Sequence, residues 1–263
     1  MRRFLLALVL LAAGPALLGA GSVSLPAGPA WLRAGTFLLG ARTATAATCD
    51  VPADLLDSSA LPRSVAAIRQ GELRILVGGS ATAEAGGSTQ PYHARIAALL
   101  NERFPALRVV VEARGQRGAT APESLALILR ELPALRPHLV IWQTGTVEAV
   151  RSLEVDELTH TLNDGITRIR AAGADVALMD QQFSRFLRAN ADIDRYRDAM
   201  RITAAAEGVS LLRRYDWMRH WAESDGPDME RAPRPDRYAT LAQLQDCLAR
   251  AIIAQLRAAA RPR

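Results

Sequence analysis

The sequence predicts an α/β fold: a doubly wound, five-stranded parallel sheet of flavodoxin-like type with helices on both faces, three layers in all. Two observations carry this. Five short runs rich in Leu or β-branched residues recur at Leu73–Val77, Leu107–Ala113, Leu139–Gln143, Val176–Met179 and Val209–Leu212, the signature of strands buried on both faces. Amphipathic stretches with helical spacing separate them, at Ala94–Arg103, Pro122–Leu132, Asp156–Ala172 and Asp192–Glu207, and Thr240–Ala260 forms the last. Strict alternation of strand and helix gives parallel neighbours joined by right-handed crossovers, and five strands suit the order 2-1-3-4-5.

The elements can be justified along the chain. Its 263 residues, 49% of them hydrophobic, suffice for one well-buried domain and an N-terminal extension. That extension opens with Met1-Arg2-Arg3 and the apolar run Phe4–Ala13, the charged and hydrophobic regions of a secretory signal. The run is too short, and too soon interrupted by Gly14 and Pro15, for a confident membrane span. Cleavage fits after Ala20 or after Ala46; the second is favoured by the small-x-small pattern Ala44-Thr45-Ala46. The expected division is therefore an export segment, 1–46, and a folded domain, 47–263. The expected location is periplasmic or extracellular, with membrane attachment only if the segment stays uncleaved.

Helix stops are legible at Phe104-Pro105, Ala171-Ala172-Gly173 and Glu207-Gly208. The irregular stretch Ala222–Pro235 is the longest expected loop and stands directly before Asp236. Net charge is +5 and the isoelectric point near 10.0, with Arg as the sole source of basic charge. These arginines alternate with acidic residues, as in Asp192–Arg201, and lack the one-sided stripe of a nucleic-acid binder. No nucleic-acid partner is expected. Nor does any Cys, His or carboxylate spacing define a metal or cofactor site.

Chemistry is expected at the strand ends. Gly78-Gly79-Ser80 follows the first strand, Gly115-Gln116-Arg117-Gly118 the second, and Gly145-Thr146-Val147-Glu148 the third, while Pro235-Asp236-Arg237-Tyr238-Ala239 leads into the final helix. A serine hydroxyl at such a turn, with backbone amides near it, is the arrangement acyl transfer uses. In order and context these four stretches resemble the four blocks of the SGNH (GDSL-like) hydrolases, serine esterases and acyl hydrolases with a three-layer fold. The resemblance implies Ser80 as nucleophile, Ser80 and Gly118 as backbone oxyanion donors, and Asp236 as the acidic member of an Asp-x-x-His pair. It also marks two departures: the oxyanion Asn position is Val147, and the His position is Ala239. The closing stretch resembles a bacterial branch with Asp-x-x-His-Met-Ser-Asp-x-Gly-Tyr-x-Cys-Leu-Ala, a register that lands on Cys247, Leu248 and Ala249.

The four histidines, His93, His138, His160 and His220, read as surface or packing residues, with His220 placed nearest a strand end. The two cysteines, Cys49 and Cys247, are expected to pair in an oxidising compartment, the alternative being two buried thiols. Two functions remain open. One is an exported, catalytically impaired binding or structural protein of the cell envelope, for an acylated glycan or lipid. The other is an active ester hydrolase or acyltransferase that uses Ser80 with a non-standard base on a small ester.

Overall fold

In the computed structural model, which describes residues 49–57, 59–80 and 90–260, the chain runs α1 (Pro62–Arg69), β1 (Glu72–Gly79), α2 (Tyr92–Arg103), β2 (Arg108–Gly115), α3 (Ala121–Leu135), β3 (Leu139–Gln143), α4 (Thr146–Arg151), α5 (Val155–Ala171), β4 (Asp175–Met179), α6 (Arg185–Asn190), α7 (Ile193–Glu207), β5 (Ser210–Leu212), α8 (Arg214–Glu223) and α9 (Arg237–Ala259). The strands pair in parallel in the order β2-β1-β3-β4-β5, as expected. The described residues all fall in the compact unit 44–263. The expected export segment, 1–46, lies outside them. Among the described residues no helix is long and apolar enough to cross a membrane.

Side chains alternate across the sheet because the strand period is two. Ile75, Val77, Ile141 and Met179 face a core shared with α2, α8 and α9. Leu76, Val140, Trp142 and Leu178 face the opposite core, shared with α3, α5 and α7. Both faces are thus covered, which is why the strands read as near-continuous apolar runs. The start of α3 follows from a capping box in which the Glu123 carboxylate accepts the Thr120 N–H at 2.8 Å. Four short helices, α1, α4, α6 and α8, were not expected from periodicity.

Register aligns the strand ends. Gly79 sits opposite both Gly115 and Gln143, Gln143 opposite Met179, and Met179 opposite Leu212. The residues that follow therefore share one edge of the sheet. The N-terminal strap is fastened to α8 and α9. Cys49 and Cys247 are joined by a disulfide with Cα atoms 4.7 Å apart, and the indoles of Trp221 and Trp217 donate to the carbonyls of Asp50 and Leu55, each at 3.0 Å.

Candidate active site

The turn that presents Ser80 is set by packing. A Cβ on Gly78 would lie 2.3 Å from Ile128 Cγ1 of α3, so the end of β1 accepts no side chain there. This close approach brings α3 against the strand and leaves Ser80 half-buried at the edge. Gly118 occupies the turn between β2 and α3, and Val147 the first turn of α4; both are half-buried. Because β2, β1 and β3 are adjacent, Ser80, Gly118 and Val147 come from three neighbouring strand ends.

Glu148 holds two of these turns together. Its carboxylate is 3% exposed and accepts the Ala121 N–H at 2.5 Å and the Gly145 N–H at 2.9 Å. Ala121 opens α3 and Gly145 caps α4, so one side chain fastens the β2–α3 and β3–α4 connections. Gly145 takes φ +88°, and a Cβ there would meet Gln181 Nε2 at 2.2 Å, which restricts the position to glycine. Sequence reading placed an acidic residue at 148 but gave it no role.

Asp236 and Ala239 stand apart in character. Both are exposed, Asp236 ending a 3-10 turn before α9 and Ala239 lying in the first turn of that helix. Among the described residues the Asp236 carboxylate makes no hydrogen bond or ion pair; its backbone N–H donates to the Pro233 carbonyl at 2.9 Å and its carbonyl accepts from Thr240 Oγ1 at 3.0 Å. The stretch before it packs on α6. Glu230 accepts from the backbone N–H of Arg185 at 2.8 Å and from Ser184 Oγ at 2.6 Å, and Asp228 pairs with Arg185 at 2.8 Å.

The histidines are distributed as follows. His220 lies in the last turn of α8 rather than at the strand end. His93, second residue of α2, is half-buried, its Nδ1 has no hydrogen-bond partner among the described residues, and burial lowers its pKa. Desolvation disfavours the imidazolium.

A second polar group, missed from sequence, follows β4 and β5. Asp180 is 3% exposed, accepts the Tyr215 N–H at 2.9 Å and lies 3.7 Å from Arg197 Nε. Burial is the main cause that raises its pKa to about 7. Arg214 is 6% exposed and donates from Nη2 to Gln182 Oε1 at 2.9 Å. Burial lowers its pKa, countered by Tyr92 and Asp180. The available signal was the placement of charge directly after two buried strands, in Asp180-Gln181-Gln182 and Arg213-Arg214.

A parallel sheet in the order 2-1-3-4-5, helices on both faces and a serine at the end of β1 define an SGNH/GDSL-like hydrolase fold. A model of the Non-GDSL lipase-like family matches residues 48–262, and the chain belongs to that family. No curated protein matches the sequence. Among solved structures the chain is similar to LAE5, an alpha/beta hydrolase enzyme from the metagenome of Lake Arreo, Spain, with TM-score 0.58, 20% identity and coverage of 71% of this chain and 96% of that one. It is similar also to Axe2, an acetylxylan esterase from Geobacillus stearothermophilus (TM-score 0.59, 18% identity, 70% and 94% coverage), and to TesA (TM-score 0.54, 21% identity, 70% and 97% coverage). Catalytic mutants of Axe2 replace a serine, an aspartate and a histidine.

Proposed function

We propose that this chain is an exported envelope protein that binds an acylated glycan or lipid at the strand ends around Ser80 and is impaired in hydrolysis. The observation that carries this reading is the combination of a retained Ser80 with Ala239 on an exposed helical turn three residues after Asp236. A serine attacks an ester carbonyl only as its Oγ proton is taken up, and an alanine takes up no proton. Loss of a triad member generally costs about 10⁴–10⁶ in rate. Val147 compounds the loss, since its side chain offers no hydrogen bond to a developing oxyanion, a contact worth about 10²–10³. The fold neighbour Axe2 acts on acetylated xylan by its description, which favours an acylated sugar as the ligand class.

A second reading, an active serine hydrolase with a different base, is favoured by His93. Its Nδ1 is buried without a hydrogen-bond partner among the described residues and desolvation favours the neutral ring, the state a general base requires. A fluorophosphonate probe discriminates the two. Slow labelling of Ser80, unchanged in His93→Gln, with retained binding of acetylated xylo-oligosaccharide, supports the binding protein. Rapid labelling that His93→Gln abolishes overturns it in favour of the enzyme.

A further inference from the structure

Arg214 is the first residue of α8, immediately beyond the end of β5. Of its three guanidinium nitrogens only Nη2 has a partner, Gln182 Oε1; Nε and Nη1 have no hydrogen-bond partner among the described residues. The residue is nevertheless 6% exposed. A buried guanidinium left this short of acceptors is destabilising to the empty fold, because its lost hydration is not replaced. Such a group calls for an explanation, and an ion or ligand that supplies the missing acceptors is one.

The surroundings define what the ligand brings. Gln182 is half-exposed, so the Arg214–Gln182 pair reaches the accessible edge of the sheet. That edge is shared with Ser80, since the ends of β1, β3, β4 and β5 are level. Arginine carries five N–H donors and no acceptor, and its geometry matches carboxylate and phosphate oxygens. Asp180 does not satisfy the need: its carboxylate is committed to the Tyr215 N–H and to the side of Arg197. Arg197 in turn is held by Asp216 at 2.7 Å and stacks over the Tyr215 ring at 3.8 Å. Arg197 Nε also lacks a hydrogen-bond partner among the described residues, but its Nη1 and Nη2 pair with Asp194 and Asp216, whereas two of the three Arg214 nitrogens have none.

We propose that Arg214 is an anion-recognition residue at this edge of the sheet and that the ligand bound there carries an oxyanion, a carboxylate or a phosphate, beside its acyl group. This deepens the functional reading above, since it assigns the ligand a charge. Binding does not depend on Ser80 chemistry. Oxyanion oxygens replace the missing acceptors at Nε and Nη1, so affinity follows the charge of the ligand rather than its ring or chain.

The experiment is thermal unfolding of the full-length protein at matched ionic strength with glucuronate or glycerol 3-phosphate, against glucose and glycerol as neutral controls. Wild type should show a saturable rise in Tm with one or both anions and none with the neutral compounds. The anion that acts identifies whether a carboxylate or a phosphate is read. Arg214→Met should be at least as stable as wild type without ligand, and its apparent anion affinity should fall at least about tenfold, a charge-assisted contact being lost. Binding of neutral acetylated xylo-oligosaccharide, measured on the same protein, separates the two readings: an anion-specific rise that Arg214→Met removes supports the anion site even where that sugar fails to bind. Three results overturn the proposal: no anion-specific rise in wild type, an undiminished rise in Arg214→Met, or loss of folding in Arg214→Met, which would make Arg214 structural.

Discussion

The buried carboxylate of Glu148 accepts the backbone N–H of Ala121 at 2.5 Å, 27 positions away in sequence. Through its other oxygen it holds Gly145, so the turns that present Gly118 and Val147 share one anchor. Each accepted N–H is at the start of a helix, where the positive end of the peptide dipoles favours a carboxylate.

Glu148→Ala should therefore destabilise more than an ordinary surface change. Two buried N–H groups lose their acceptor, at about 1–3 kcal/mol each. Glu148→Gln retains one acceptor oxygen and should lose about half as much. Urea unfolding of the three proteins checks this. Equal stability of wild type and Glu148→Ala would remove the brace.

Asp180 gives a pH dependence with a defined sign. Its folded-state pKa of about 7 lies above the ordinary 3.8, so the folded protein holds the proton more tightly than the unfolded chain. The contribution to stability is full below about pH 4 and is lost as pH rises to about 7, on the order of a few kcal/mol. The charged groups facing it are Arg197, Asp216 and Arg214. Asp180→Asn keeps an oxygen for the Tyr215 N–H and cannot ionise. Its stability should fall less than that of wild type between about pH 5 and 8, as Tm measured across that range will show; parallel profiles would refute the assignment.

The sheet was legible from sequence because β3, β4 and β5 are buried throughout and β1 nearly so, and they stand out as apolar runs; β3 matches residue for residue, and the edge strand β2, mostly half-buried, was legible from its Val109–Val111 run. The short helices were not. The six-residue α4 depends on Glu148 rather than on an apolar stripe, and α8 owes its place to Trp217 and Trp221 packing under the N-terminal strap. Ser80, Gly118 and Val147 could be assigned to strand ends from order alone. The partners of Glu148 could not, since they require knowing that the turns after β2 and β3 meet. Arg214 and Asp180 read as ordinary loop charges until their burial is seen. Gly78 and Gly79 read as turn formers, whereas Gly78 is required by the contact with Ile128 inside the strand.

The Cys49–Cys247 bond closes a loop with a sequence separation of 198. Cross-linking so long a loop restricts the unfolded chain and contributes about 5 kcal/mol at most on the chain-entropy estimate. Reduction, or the pair Cys49→Ser with Cys247→Ser, should lower the urea midpoint by a corresponding amount while leaving the far-ultraviolet circular dichroism intact, since both cores remain. Wild type whose midpoint is indifferent to reductant would show that the N-terminal strap is held by its hydrogen bonds alone.

The last prediction concerns the two positions where the chain departs from the SGNH pattern. Ala239 is exposed and Val147 half-buried, so a histidine at 239 meets no core packing and an asparagine at 147 is close to valine in size; neither substitution should cost much stability. If the missing base and the missing oxyanion donor are what limit hydrolysis, Ala239→His with Val147→Asn should cleave a short aryl ester at least about 10²-fold faster than wild type, a conservative share of what such groups supply. Asp236, exposed and without a side-chain partner among the described residues, is then three residues before the new imidazole and available to orient it. The gain should disappear when Ser80→Ala is added, because the nucleophile is gone, and His93→Gln should leave it untouched, because the new imidazole serves as base. A wild type already as fast as the folded double variant, with turnover lost in both Ser80→Ala and His93→Gln, would assign the base to His93 and overturn the reading of an impaired hydrolase.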